Sequence, residues 1–202
     1  VGQGGPNVDI ALDPLEGTTI TAQGGENAMA VIALAQQGGF LNAPDVYMEK
    51  ISSEIPLSEK IISLDQDIKS NIKELAKFKK VNVEDIIICI LDRDRHKKII
   101  EDVRSLGSRI KMIGDGDVSA IISSVLPDNS IDMYYGIGGA PEGVLAAAAL
   151  QCLGGFMEGK LLFRNEDEKK RASKVNIKDF DKTYALNDLA NGDVVFSATG
   201  VT

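Results

Sequence analysis

The second half of the sequence alternates strand-like and helix-like segments, and this alternation constrains the fold more than any other feature. Strands are predicted at 85–91, 109–113, 131–135 and 156–163, and helices at 95–106, 118–126, 141–153 and 165–174. The apolar residues of these strands form continuous runs, most clearly at 86–91, rather than alternating with polar ones, which is typical of sheets covered by helices on both faces. The sequence therefore predicts an α/β fold.

The first half is less regular. A short strand at 8–12 runs into an acidic turn, the apolar run at 27–35 fits either a strand or a helix, and residues 64–80 have helical spacing. A change of pattern near residues 55–84 predicts two parts, 1–83 and 84–202. The chain also opens and ends within strand-like runs, including a last strand at 194–198, which predicts that it is a piece of a longer protein.

Composition excludes several classes of function. With 202 residues, 44% of them apolar, the chain can bury a core. A formal net charge of -8 argues against nucleic acid or an anionic membrane as partner. No apolar run reaches the roughly 18–20 residues of a membrane span, so the cytoplasm is the expected location.

Few residues are available for thiol or imidazole chemistry. Cys89 and Cys152 lie in apolar stretches, and we expect both to be reduced core residues. The single histidine, His96, lies in a charged segment and is expected on a helix surface, so histidine-based catalysis is not predicted.

The segment Asp13-Pro14-Leu15-Glu16-Gly17-Thr18-Thr19 is the most specific local pattern. Two carboxylates three residues apart can face one hard cation, with threonine hydroxyls near a water bound to that cation. An ordinary acidic turn would have the same residues, because aspartate, proline and glycine are common in turns.

Residues 136–143 (GIGGAPEG) follow a predicted strand and open a predicted helix. Free amides at such a turn bind phosphate, and Glu142 adds a carboxylate beside that anion, as expected where a metal bridges protein and phosphate. The spacing differs from the dinucleotide fingerprint, so a nicotinamide cofactor is not predicted. A plain glycine-rich connection remains the alternative.

Charged clusters follow two further strands: Arg93-Asp94-Arg95 and Asp115-Gly116-Asp117. In open α/β sheets ligands bind at that edge, where arginines can hold phosphate and aspartates can hold sugar hydroxyls. Singly, each cluster also fits a solvated helix start or a tight turn. Jointly, the four clusters supply carboxylates for metal and amides and arginines for phosphate, which favours one shared site.

The sequence resembles the class II, or GlpX-type, fructose-1,6-bisphosphatases of the lithium-sensitive sugar phosphatase superfamily. The resemblance lies in DPLEGTT, NAPDVYMEK, LDRDRH, GDGD and YGIGGAPEGVLAAAAL, which occur in the family's order and approximate spacing. It implies a layered α/β/α/β fold, incomplete here at the N-terminus. It also implies hydrolysis of the 1-phosphate of fructose 1,6-bisphosphate in gluconeogenesis, with sedoheptulose 1,7-bisphosphate as a further substrate. A homodimer or homotetramer is implied for the full-length protein.

The resemblance also assigns roles to individual residues. It implies that Asp13, Glu16 and Glu142 bind a catalytic Mn2+ or Mg2+, and that Thr18 orients the attacking water. The implied substrate contacts are Glu16, Gly17, Thr18, Tyr47, Arg93, Asp94, Arg95, Asp115, Gly116, Asp117 and Gly139.

Two departures from the family pattern stand out. Asp94 takes the place of a proline between the two arginines, and the family's preceding segment, with further acidic ligands and a lysine, is absent from these 202 residues. Two alternatives therefore remain at this point: a non-catalytic remnant that binds sugar phosphate, and an inositol or nucleotide phosphatase of the same superfamily.

Overall fold

The computed structural model describes residues 4–127 and 130–202, and the predicted alternation of strands and helices is present. The strands are β1 (Val8–Glu16), β2 (Met29–Gln36), β3 (Tyr47–Ser53), β4 (Ile87–Leu91), β5 (Arg109–Ile113), β6 (Met133–Gly139), β7 (Phe156–Leu162), β8 (Thr183–Ala185) and β9 (Val194–Gly200). The helices are α1 (Thr18–Ala22), α2 (Ile68–Lys79), α3 (Lys97–Ser105), α4 (Asp117–Ser123), α5 (Ala140–Leu153), α6 (Glu166–Lys174) and α7 (Leu186–Leu189). Short 3-10 turns precede β4 at Val83–Asp85 and α3 at Asp94–His96.

The strands form two sheets. One is a three-stranded antiparallel sheet in the order β1-β2-β9, and the other has six strands in the order β5-β4-β6-β3-β7-β8. In the larger sheet β4 is parallel to β5 and β6, whereas β3 is antiparallel to both of its neighbours. Each sheet takes strands from both sides of residue 83, and the division into 1–83 and 84–202 stays a prediction.

Helix α5 lies between the two sheets and contacts strands of both. It is apolar on all sides, and its alanines 146–149 are fully buried. A helix with this composition is expected only where every face is covered. Small side chains let the two sheets approach the helix closely, so a larger residue among these alanines would cost about 1–3 kcal/mol in overpacking.

The opposite face of the six-stranded sheet is covered by α2 and α3. Ile72 and Leu75 of α2 and Val103 of α3 pack with Ile88 and Ile90 of β4 in a second apolar cluster. The layers are therefore the small sheet, α5 with its neighbouring helices, the large sheet, and α2 with α3. This order confirms the predicted layered α/β fold.

Several elements differ from the sequence-based prediction. β1 extends through the expected turn to Glu16, with an irregular register between Asp13 and Glu16. Residues 29–36 form a strand, since they pair with both β1 and β9. Tyr47 begins a seven-residue strand at the centre of the large sheet. The short elements α1, β8 and α7 were not predicted, and residues 1–3 of the opening run lie outside the described part of the chain.

Two single-residue predictions are wrong. Cys152 is exposed, because it lies in the last turn of α5, where the helix leaves the space between the sheets; only Cys89 is buried. His96 is fully buried rather than on a helix surface, because it precedes α3 and turns its ring towards the strands. No helix in residues 4–127 and 130–202 is long and apolar enough to cross a membrane.

Candidate active site

A cleft of about 280 Å³ opens where the end of β1 meets the edge of the six-stranded sheet. It is lined by Asp13, Leu15, Glu16, Gly17, Thr18, Tyr47, Leu91, Arg93, Arg95, Asp115, Asp117, Gly138, Gly139 and Glu142. The structure thus brings together all of the sequence-predicted site residues except two. Gly116 is buried beside Glu16, and the exposed carboxylate of Asp94 pairs with Lys97 at 2.9 Å.

Glu16 ends β1 and is almost fully buried, with 4% of its surface exposed. Gly17, at φ 90°, turns the chain into α1, a conformation that a side chain would strain. The Oε1 atom of Glu16 accepts a hydrogen bond from the backbone N–H of Val118 at 3.2 Å. In return, the N–H of Thr19 donates to Oδ2 of Asp115 at 3.2 Å, so the β1–α1 and β5–α4 turns are fastened to each other.

The second carboxylate oxygen of Glu16, Oε2, is buried and has no hydrogen-bond partner among residues 4–127 and 130–202. Burial, with the nearby charges of Asp117, Asp115 and Asp13, raises the pKa of Glu16 to about 7. In its charged form, a buried carboxylate without a donor for one of its oxygens, and with other carboxylates nearby, is costly unless a cation joins it.

These donors fit a hard divalent cation, which takes carboxylate oxygens as ligands. The fit is incomplete, because nowhere in the described residues do three or more His, Cys, Asp or Glu side chains form a group ready to hold a metal. Asp13, Glu16 and Glu142 share the cleft but are not such a group.

Lys50 lies in the middle of β3 and is fully buried. Its ammonium group donates to Oδ2 of Asp117 and, at 3.0 Å, to the carbonyl oxygen of Gly139. Asp117 opens α4 with 8% of its side chain exposed and lines the cleft, whereas Lys50 is fully buried and does not line it. Charges this deep are stable only when they are paired and hydrogen-bonded.

The glycines at 136–139 do not form the predicted phosphate-binding loop. They belong to β6, where Gly138 and Gly139 pair with Met48 and Tyr47 of β3, which places the backbone in the sheet. Because they have no side chain, Gly138 and Gly139 leave room for the carboxylates of Asp117 and Glu142. A Cβ atom on Gly138 would lie 2.2 Å from a carboxylate oxygen of Asp117, and one on Gly139 would lie 2.0 Å from a carboxylate oxygen of Glu142.

The connection between β4 and α3 contributes two arginines to the cleft, Arg93 and Arg95. Arg93 donates to the carbonyl oxygen of Gly114 at 2.6 Å, which fixes this connection against the end of β5. Arg95 donates through Nε and Nη2 to the carbonyl oxygen of Ile137, at 2.9 and 2.7 Å. Its Cζ atom lies 4.9 Å from the ring centroid of Tyr47, within the range of a cation–π contact.

The buried ring of His96 fixes the same connection to β4 and β6. Its Nδ1 lies 2.8 Å from the carbonyl oxygen of Leu91, and its Nε2 accepts from the N–H of Ile137 at 2.8 Å. This pattern requires a neutral ring with the proton on Nδ1. Burial, together with the nearby Arg95 and Arg93, lowers the pKa of His96.

Sequence reasoning missed Lys50 and His96. Lys50 stands inside the segment MEKISS, and a lysine in a strand is usually read as solvent-facing. Its only signal is that the residues around it are those of a central strand. His96 carried a signal in being the only histidine, but its neighbours are charged and suggested a surface.

The family model for bacterial fructose-1,6-bisphosphatases encoded by glpX matches residues 1–202. The chain belongs to this family. Curated relatives include the D-fructose 1,6-bisphosphatase class 2/sedoheptulose 1,7-bisphosphatases of Trichodesmium erythraeum and of Synechocystis, each 38% identical over 208 aligned positions. The protein of that name from Crocosphaera subtropica is also 38% identical. These alignments cover 96% of this chain and 60% of each relative, so the chain spans about 60% of the length of the relatives it matches.

Proposed function

We propose that the protein hydrolyses the 1-phosphate of fructose 1,6-bisphosphate, giving fructose 6-phosphate and phosphate, with sedoheptulose 1,7-bisphosphate as a second substrate. The observation that carries the proposal is that carboxylates and guanidinium groups line one cleft. The carboxylates are those of Asp13, Glu16 and Glu142, and the guanidinium groups are those of Arg93 and Arg95, of which Arg95 lies against the ring of Tyr47. The names of the relatives support this choice of substrate.

In this mechanism Glu16, with Asp13 and Glu142, would hold Mg2+ or Mn2+. The chemistry that such a cation supplies when bound is neutralisation of phosphoryl charge and a lower pKa for an attacking water. The structural reason to place the cation there is the buried Oε2 atom of Glu16, to which no residue in the described part of the chain donates a hydrogen bond. We assign Thr18, at the first position of α1, the role of orienting the attacking water through its hydroxyl.

The rest of the cleft would bind and orient the sugar. Asp115 and Asp117 offer acceptors for sugar hydroxyls, the latter held in place by Lys50. Gly17 and Gly139 let the substrate approach the backbone. Asp94 is left without a substrate contact, because its carboxylate pairs with Lys97 away from the cleft.

The test is phosphate release from fructose 1,6-bisphosphate as Mn2+ or Mg2+ is titrated, in this chain and in the complete product of its gene. Thr18→Ala should lower kcat by about a hundredfold, the usual size for loss of a proton-handling or water-orienting group, whereas Thr18→Ser should retain most of it. Glu166→Gln, on the exposed surface of α6, is the matched control. Saturable fructose 6-phosphate binding without release in either version would instead support a binding protein.

We further propose that the protein acts in the cytoplasm, in gluconeogenesis, as a homodimer or homotetramer, as the family resemblance implies. Light scattering coupled to size-exclusion chromatography measures the assembly directly. A monomer in the gene-length version would contradict that part of the proposal.

A further inference from the structure

A second arginine reaches Tyr47 from outside the segments that carry the family resemblance. The Cζ atom of Arg164 lies 5.1 Å from the ring centroid of Tyr47, and that of Arg95 lies 4.9 Å from the same centroid. The two guanidinium groups can therefore be no farther apart than about twice this distance. An anion bound near the Tyr47 ring would be attracted by both.

Arg164 also borders an extension of the cleft. A hollow of about 290 Å³ is lined by Asp45, Val46, Tyr47, Gly139, Glu142 and Arg164. Tyr47, Gly139 and Glu142 line the main cleft as well, so the two spaces meet at these residues. A ligand with one end among the carboxylates can thus reach past Tyr47 to Arg164.

Arg164 is held in place before any ligand arrives. It lies in the turn between β7 and α6, and its Nε and Nη2 atoms are 2.7 and 2.5 Å from Oε1 of the buried Glu168. The other oxygen of Glu168 accepts from the backbone N–H of Arg164 at 2.7 Å. A guanidinium has five N–H donors in a fixed fork, so this pairing orients the group and leaves donors for a second acceptor.

We propose that Arg164, together with Arg95, binds the phosphate of the sugar bisphosphate that is not cleaved. The inference rests on the proposed function, because it assumes that the other phosphate lies among the carboxylates. The nearby carboxylates of Asp45 and Glu142 make the assignment selective: they disfavour an anion that does not contact both arginines. Arg164 is then a specificity-determining residue, which distinguishes sugar bisphosphates from sugars with a single phosphate on the reacting carbon.

A purely structural role is the competing explanation, in which Arg164 serves only to neutralise Glu168. Two variants separate these roles. Arg164→Ala removes the cation and leaves Glu168 unpaired, whereas Glu168→Gln keeps the cation, and the glutamine oxygen can still accept from the backbone N–H. Arg104→Ala, on the exposed surface of α3 and outside both spaces, is the control for loss of one arginine.

Binding of fructose 6-phosphate, measured by calorimetry, tests the inference without needing turnover. We expect Arg164→Ala to raise Kd at least tenfold, the size of one charge-assisted hydrogen-bonded contact. Glu168→Gln keeps the cation but weakens its fixed orientation, so it should raise Kd by less than Arg164→Ala does, and Arg104→Ala should stay within about threefold of the parent. An unchanged Kd in Arg164→Ala refutes the inference. So does an equal loss in Arg164→Ala and Glu168→Gln, which is the outcome of a structural role.

Turnover separates the inference from the proposed function. The ratio of KM for fructose 1,6-bisphosphate to KM for fructose 1-phosphate should rise at least tenfold in Arg164→Ala, because only the first substrate carries the distant phosphate. An unchanged ratio, with both substrates cleaved by the parent, refutes the inference alone. Tight binding of fructose 6-phosphate that depends on Arg164, with no cleavage of either substrate, refutes the proposed hydrolysis and supports the inference. No binding by the parent refutes both.

Discussion

Replacing Lys50 by methionine should be among the most damaging single changes in the protein. The substitution removes the ammonium group that pairs with Asp117 and contacts the carbonyl oxygen of Gly139, while keeping an unbranched side chain of similar length. Asp117 is left as a buried charge with 8% of its side chain exposed. Breaking a buried ion pair from one side costs about 3–5 kcal/mol, a large fraction of the roughly 5–15 kcal/mol that stabilises a typical domain.

Urea unfolding followed by circular dichroism measures this loss. The double variant Lys50→Met/Asp117→Asn should recover part of the lost stability, because no unpaired charge is then buried. The coupling free energy between the two sites should be about 1–3 kcal/mol. Lys97→Met is the control, because both Lys97 and its partner Asp94 are exposed. Loss of this surface pair should change the free energy of unfolding by no more than the error of the measurement. A loss below about 1 kcal/mol in Lys50→Met, or additive effects in the double variant, would refute the reasoning.

Three further predictions concern pH, thiols and the cleft glycines. The folded state favours neutral His96, so the free energy of unfolding should fall as pH drops below about 6.5, by at most about 1.4 kcal/mol per pH unit. The variant His96→Asn should lack this part of the pH dependence in acid unfolding titrations. Burial raises the pKa of Cys89 to about 12. A thiol reagent at pH 8 should therefore label only Cys152 in the folded protein and both cysteines in urea. Labelling of both cysteines at equal rates in the folded state would contradict the burial of Cys89. Gly139→Ala should displace the Glu142 carboxylate and therefore weaken Mn2+ binding measured by calorimetry. The free energy of unfolding should change by less than about 2 kcal/mol, because the group that must move is the end of a flexible side chain. An unchanged Mn2+ affinity would remove Glu142 from the proposed ligands.

The sequence allowed the layered fold and the meeting of the charged clusters to be predicted, for a clear physical reason. Apolar runs such as those of β4 and the first half of β6 are buried on both faces, so burial leaves a continuous apolar pattern in the sequence. Polar residues after such strands meet at one edge of the sheet, as Arg93 and Asp115 do.

The parts that were missed depend on partners distant in sequence. Lys50 is buried because Asp117, 67 positions away, neutralises it, and no local pattern contains that information. The glycines of β6 suggested a loop, but pairing with β3 makes them a strand. His96 is buried because Ile137 and Leu91 use both of its ring nitrogens.

The position of β9 beside β2 has a consequence for how the protein is made. The sheet that carries Asp13 and Glu16 has its first two strands within the opening 36 residues, but its third strand is Val194–Gly200. At about 5–20 residues per second, a ribosome would need roughly 10–30 s to bridge that gap. Throughout this interval one edge of β2 would remain open to pairing with other chains. The sheet that carries Asp13 and Glu16 would thus be complete only after β9 has been synthesised, and a chaperone that covered the open edge of β2 would protect the nascent chain from aggregation.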